Sequence, residues 1–286
     1  MGYAPDMALV SPEDLAARLT DPDLRIVDVR WVLGQPGQGR LKYDAGHLPG
    51  AIFVDLDEAL TGPGPGRHPL PSPAAFAAAM AAAGIGDGSF VVAYDDVGGW
   101  VASRLWWMLE NLGHPKVAVL DGGYPAWVAA GLTTTTEVVA FPPAELHLAS
   151  SWRGVIDRDA LRGRLGSVVL LDARAGPRYR GEIEPIDPVA GHIPTARNAP
   201  TDGNLAEGGR FRAPSELAAR FAALGADGSA EVVTSCGSGV SATHNALAMR
   251  VAGLPDPILY VGSFSDWSTA GYPVATGPEP DDPPER

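Results

Sequence analysis

Val232-Val233-Thr234-Ser235-Cys236-Gly237-Ser238-Gly239-Val240-Ser241-Ala242 is the stretch on which the reading of this chain turns. A short run of β-branched and small residues leads into the only cysteine of the protein, two glycines follow within three positions, and Ala242 to Met249 reads as helix. The pattern predicts a strand handing over to a helix through a loosened loop, with Cys236 at the turning point. Backbone N–H groups converge at a helix N-terminus and the helix dipole favours negative charge, so a thiolate is stabilised there and an anion is cradled. Core filler is the competing reading of a lone cysteine. Filler gains nothing from Gly-Ser-Gly, whereas a loop curling its amides about one sulfur needs residues free of Cβ clashes.

Working outward, the surroundings of this loop occur twice. Arg25 to Val29 reads as a strand ending in Asp28-Val29-Arg30, and Val168 to Leu171 leads likewise into Asp172-Ala173-Arg174. Gly46-His47-Leu48-Pro49 and Gly191-His192-Ile193-Pro194 follow, the first leading into a strand-like Ile52 to Leu56. Phe90 to Asp95 and the helix Ser103 to Asn111 correspond to Val232 to Cys236 and its helix, so that Asp95 falls where Cys236 does. Leu120 to Trp127 mirrors Tyr260 to Trp267, and paired positions lie 140 to 145 residues apart throughout. One globular unit has been duplicated, and only the second copy holds a thiol. The first copy opens on a helix from Ser11 to Leu19, with Ser11 as cap, Pro12 at its first position and Glu13 and Asp14 in its first turn.

Strands alternating with helices predict an α/β protein: two tandem domains, each a mostly parallel sheet flanked by helices. The expected boundaries are 8–133 for the first domain, 134–150 for a Thr- and Pro-rich linker, 151–275 for the second and 276–286 for a disordered tail. The linker's Thr and Val content also suits an extended segment lying along a domain surface. In such sheets ligands collect at the carboxyl ends of the strands, where Ser235 delivers Cys236.

Composition excludes several function classes. A net charge of −13 argues against a nucleic-acid surface or an anionic membrane as partner, since both reward clustered Lys and Arg. No apolar run has the length of a membrane span. One cysteine allows no internal disulfide, and no basic segment followed by an apolar stretch opens the chain, so a cytoplasmic protein is expected. The six histidines lack paired ligand spacing, so neither a metal nor a cofactor is implied.

The Asp-X-Arg strand ends, the Gly-His-Ile/Leu-Pro turns, the six-residue cysteine loop and the late Gly-X-X-X-X-Trp, in the same order in both halves, resemble tandem rhodanese-domain sulfurtransferases over about Leu9 to Pro273. The resemblance implies a catalytically silent first copy, in keeping with Asp95, and a persulfide formed on Cys236. Family members that prefer thiosulfate carry basic residues after the cysteine, and those that prefer 3-mercaptopyruvate carry Cys-Gly-Ser-Gly-Val-Thr. Cys236 to Ser241 is similar to the second type, with Ser241 keeping the hydroxyl. Gly237, Gly239, Val240 and Ser241 are thereby expected to line the donor. The family's anion-binding arginine is carried over to Arg178 in Pro177-Arg178-Tyr179. A second arginine, expected nine residues on, is Asp187, which leaves Arg180 or another basic group to take its part. The Ser-His-Asp relay of the mercaptopyruvate type is carried over to Ser238, His68 and Asp57.

The implied partners are a small anionic sulfur donor and a thiol, thioredoxin or cyanide as acceptor. Thiosulfate:cyanide transfer on the same cysteine, and a non-catalytic sulfur carrier or regulatory module, are the alternatives. A phosphatase loop is disfavoured, because Cys-X5-Arg would need arginine where Ala242 stands. His47 and His192, present in both copies, are assigned to the fold, as are the Asp28/Arg30 and Asp172/Arg174 pairs. Trp106 and Trp107 read as core on a helix, and Trp31 as a residue that lines the cleft.

Overall fold

The computed structural model describes residues 8–283. The first seven residues, on which the reading of the N-terminus rests, and the last three of the tail lie outside the described residues. Two units emerge. The first takes in the chain through Gly62, then Pro71–Arg153 and Ala206–Phe211; the second takes in Pro63–Leu70, Gly154–Leu205 and the chain from Arg212 on.

The first unit holds β1 (Leu9–Val10), β2 (Leu24–Asp28), β3 (Ala51–Phe53), β4 (Phe90–Tyr94) and β5 (Val117–Leu120) in the order β1-β5-β4-β2-β3, every pair parallel. The second repeats it with β6 (Val155–Ile156), β7 (Val169–Asp172), β8 (Ala196–Asn198), β9 (Val232–Ser235) and β10 (Ile258–Tyr260) in the order β6-β10-β9-β7-β8. The central strands β4 and β9 are buried along their whole length, the pattern of strands covered on both faces. Two like cores form, one around Ile26, Val92 and Trp127, the other around Leu170, Val233 and Trp267. No helix among the described residues is long and apolar enough to cross a membrane.

Each Asp-X-Arg strand end is a buried brace. Arg30 forks onto Asp28 (2.6 and 2.9 Å) and donates to Gly46 O (2.7 Å); Arg174 forks onto Asp172 (2.7 and 3.1 Å) and donates to Gly191 O (2.7 Å). The carboxylate holds the guanidinium, and the guanidinium holds the turn before His47 or His192. Those histidines in turn stack on Tyr43 and Tyr179, with ring centroids 3.8 Å apart in each pair. Their backbones pair with Thr135 and Ala275, so they fasten the closing segment of each copy.

Two local differences from the sequence reading have simple causes. The first helix spans Pro12–Ala16, because after Ala17 the bonds shorten to Arg18 N–H to Leu15 O and Leu19 N–H to Ala16 O, and the chain turns toward Pro22. The strand read to Leu56 ends at Phe53, because Asp55 accepts from the amides of Asp57 and Glu58 and caps a helix over Leu56–Ala59. Beyond the second domain, Gly277 N–H donates to Arg180 O and the Pro280 carbonyl accepts from Thr195 N–H. Residues 134–150 run extended along the first unit, with Ala144 N–H on Ala81 O and Ala149 N–H on Leu112 O.

Candidate active site

Cys236 follows β9 directly and lies 1% exposed before the helix Ala242–Val251. Its Sγ accepts from the backbone N–H of Gly239 (3.1 Å) and, more distantly, of Ser238 (3.4 Å). Amide dipoles aimed at one sulfur stabilise negative charge on it. Gly239 supplies the positive φ of 77° that the loop needs, and a Cβ there would run into Val261 O. Val240 is buried and Ser241 is half-buried at the helix start.

The first copy shows what this loop is built to hold. Asp95 Oδ1 accepts from the amides of Val97 (3.0 Å) and Gly99 (2.8 Å), and Oδ2 from those of Val101 (2.8 Å) and Ala102 (3.0 Å). Burial pushes this carboxyl up, while the four amides favour its charged form. A carboxylate fills the cradle that a sulfur occupies in the second copy.

A serine that the sequence reading passed over sits beside the thiol. Ser263 is fully buried with a left-handed backbone, φ 52°; its Oγ accepts from the N–H of Cys236 (3.0 Å) and donates to Tyr260 O (2.8 Å). The matching position of the first copy is Gly123, φ 57°, and both units close with the next N–H on the preceding loop carbonyl, Tyr124 on Asp95 and Phe264 on Cys236. Serine against glycine at one left-handed position was the available signal.

His68 belongs to Pro63–Leu70, a segment of the first sequence copy counted with the second unit, and its Nδ1 lies 2.7 Å from Ser238 Oγ. Both side chains are buried, 7% and 8% exposed. Asp57 remains with the first unit, where its Oδ2 accepts from Trp31 Nε1 (2.9 Å). Trp31 itself is buried and meets Trp100 edge-on, and Trp106 and Trp107 are buried on the helix Ala102–Asn111.

Arg178 is held by two carboxylates, Glu184 (2.7 Å) and Asp187 (2.9 Å). Asp187 also pairs with Arg67, and Glu184 with Arg174 (3.4 Å). Burial alone would raise the Glu184 carboxyl, but bonds from Arg178 and from the amides of Asp187 and Ile186 hold it below its ordinary value. With Asp172 counted against Arg174, three guanidiniums face three carboxylates. Arg67, Glu184 and Ser263 are the residues of this site that sequence reasoning did not name.

The family described as Rhodanese-like domain matches residues 11–130 and 157–270. The chain is 46% identical over 278 residues to the "Probable 3-mercaptopyruvate sulfurtransferase" of Pseudomonas aeruginosa, covering 94% of this chain and 98% of that one. It is 35% identical over 271 residues to the thiosulfate sulfurtransferase of Rattus norvegicus, covering 91% of each. Among solved structures, the 3-mercaptopyruvate sulfurtransferase from Leishmania major superposes with a TM-score of 0.83 at 30% identity, covering 94% of this chain and 76% of that one. Family match, duplicated parallel sheets and a cysteine cradled by amides agree, and the chain belongs to the rhodanese-like family as a sulfurtransferase that works through a cysteine persulfide.

Proposed function

We propose that the sulfur donor is 3-mercaptopyruvate and that the relay Ser238–His68, with Asp57 as its carboxylate, moves the proton that this donor requires. The observation that carries the reading is the 2.7 Å separation of His68 Nδ1 from Ser238 Oγ. In the first half-reaction the Cys236 thiolate attacks the donor sulfur. An S–S bond forms, the C–S bond breaks, and its electron pair leaves on carbon as pyruvate enolate. The proton from the donor thiol passes through Ser238 and His68 to that carbon, so the products are a deprotonated persulfide and pyruvate. Thiosulfate transfer makes no such demand, because sulfite leaves without a proton.

The charge balance favours the same donor. Three guanidiniums already matched by three carboxylates suit a monoanion better than a dianion. Gly237, Gly239, Val240 and Ser241 line the sulfur's side of the site, and Arg178 binds the donor anion. The persulfide then passes to a thiol, thioredoxin or cyanide in a ping-pong sequence.

Steady-state kinetics with both donors test the proposal. kcat/KM is expected to favour 3-mercaptopyruvate, and Cys236→Ser is expected to abolish transfer from either donor. A strong preference for thiosulfate in the native protein would overturn the donor assignment.

A further inference from the structure

Asp187 stands where the family places a second arginine, and Arg180, the nearest substitute along the chain, is turned onto Glu182 at the surface (2.7 and 2.9 Å). Another guanidinium lies over the cysteine loop. A Cβ built on Gly237 would lie 2.7 Å from Arg67 Nη2 and 3.5 Å from Arg178 Nη1. Gly237 directly follows Cys236, so two arginines share the space over the residue next to the cysteine, and the absent side chain at Gly237 leaves room for them.

The pose of Arg67 is set by its own unit. Its backbone N–H donates to Ser265 Oγ (3.1 Å), and its Nη1 pairs with Asp187 Oδ1. Asp187 Oδ2 accepts from Arg178 Nη2 (2.9 Å), so one carboxylate braces both guanidiniums and offsets their repulsion. Arg67 Nε is buried and has no hydrogen-bond partner among the described residues. Nε and Nη2 form one edge of a guanidinium, the edge with which Arg30 grips Asp28 in this same protein (2.9 and 2.6 Å). In Arg67 that edge has an unmet donor at one end and stands over Gly237 at the other, which is the donor pattern a carboxylate matches. Arg67 also lines an open cleft of about 430 Å³ with Arg158, Ile186, Asp187, Ser265 and Asp266.

We propose that Arg67 is the second donor-binding arginine of this enzyme. Its Nε–Nη2 edge takes the carboxylate of an α-keto carboxylate sulfur donor beside Arg178, and Asp187 is the brace that positions both. The identity of the donor rests on the mercaptopyruvate reading above; the anion site does not.

The lone cysteine allows a test that is independent of the donor. Iodoacetate, an anion, and iodoacetamide, its neutral analogue, alkylate the same Sγ, so the ratio of their rates reports anion recruitment to the site. Arg67→Gln is expected to lower that ratio about tenfold, the size of one charge-assisted hydrogen bond, while the iodoacetamide rate stays within about twofold. The same variant is expected to raise KM for 3-mercaptopyruvate by about tenfold with a smaller change in kcat. Arg67→Lys is expected to restore part of the ratio through its charge but little of the KM, because an ammonium cannot fork. Arg180→Gln is expected to change neither. An unchanged ratio in Arg67→Gln, an equal fall of both alkylation rates, or a fall in Arg180→Gln instead overturns the proposal. If the ratio falls while the native protein prefers thiosulfate, the anion site stands and the donor reading fails; with mercaptopyruvate preferred and the ratio unchanged, the reverse holds.

Discussion

Ser263 occupies a backbone conformation that only glycine adopts freely, and it does so beside the thiol, with its hydroxyl on the N–H of Cys236. Removing that hydroxyl leaves a buried amide donor unmet. Ser263→Ala is therefore expected to cost about 1–3 kcal/mol, read from urea unfolding. An effect under about 0.5 kcal/mol would show that the loop does not depend on this bond. The proposed relay makes a sharper demand on kinetics. Ser238→Ala or His68→Gln is expected to lower kcat for 3-mercaptopyruvate by about 10²-fold, the low end of general acid–base contributions, and to leave thiosulfate transfer within a few-fold. Equal losses with both donors would assign these residues to the scaffold. Cys236, Ser238 and Arg178 were legible as candidates because the motifs around them are contiguous. Arg67 was not, since nothing in Gly66-Arg67-His68 says that its guanidinium ends over Gly237, on the far side of the sequence.

At the scale of the element, one strand-loop-helix unit holds a thiol in one copy and a carboxylate in the other. β9, its loop and Ala242–Val251 present amides to Cys236, and β4, its loop and Ala102–Asn111 present four to Asp95. The cradle's demand for an acceptor explains why the first copy keeps an acidic residue there. Asp95→Asn turns an amide group with two N–H donors toward amides that also donate. A loss of about 3 kcal/mol is expected, measured by chemical denaturation, from two or more charged hydrogen bonds. A neutral effect would mean that burial, and not the four bonds, governs this carboxyl. The duplicated elements were legible because each buried pair, Asp28 with Arg30 and Asp172 with Arg174, is local in sequence. Helix ends were less so, because a side-chain cap such as Asp55 competes with strand propensity over only two or three residues.

For the whole molecule, two buried histidines contribute a pH dependence of definite sign, against which the exposed His147, raised by its bond to Asp87, works in the opposite sense. Burial pushes His114 and His192 below their ordinary value of 6.5. The unfolded chain therefore takes up protons that the native one refuses as the pH falls below about 6.5. Their contribution is intact above that pH and is lost below it, by up to about 1.4 kcal/mol per pH unit for each histidine, until the native forms protonate. Glu184, held below its ordinary 4.5, adds a second loss as the pH falls through the acidic range. Urea midpoints are expected to drop between pH 7.5 and 5.5; a flat or rising midpoint contradicts the assignment.

What the sequence determined by itself is the repeated architecture and the place of the nucleophile. Both are carried by short-range patterns: periodic apolar strands, capped helices, glycines at turns, and motifs recurring at one offset. The company the thiol keeps was settled by packing in three dimensions. Pro63–Leu70 packs within the second unit, where His68 meets Ser238 and Asp187 braces Arg67 and Arg178 instead of standing as a missing arginine. Ion pairs and proton relays act over a few ångströms of space whatever the separation along the chain, so their membership is set by packing that no local pattern encodes.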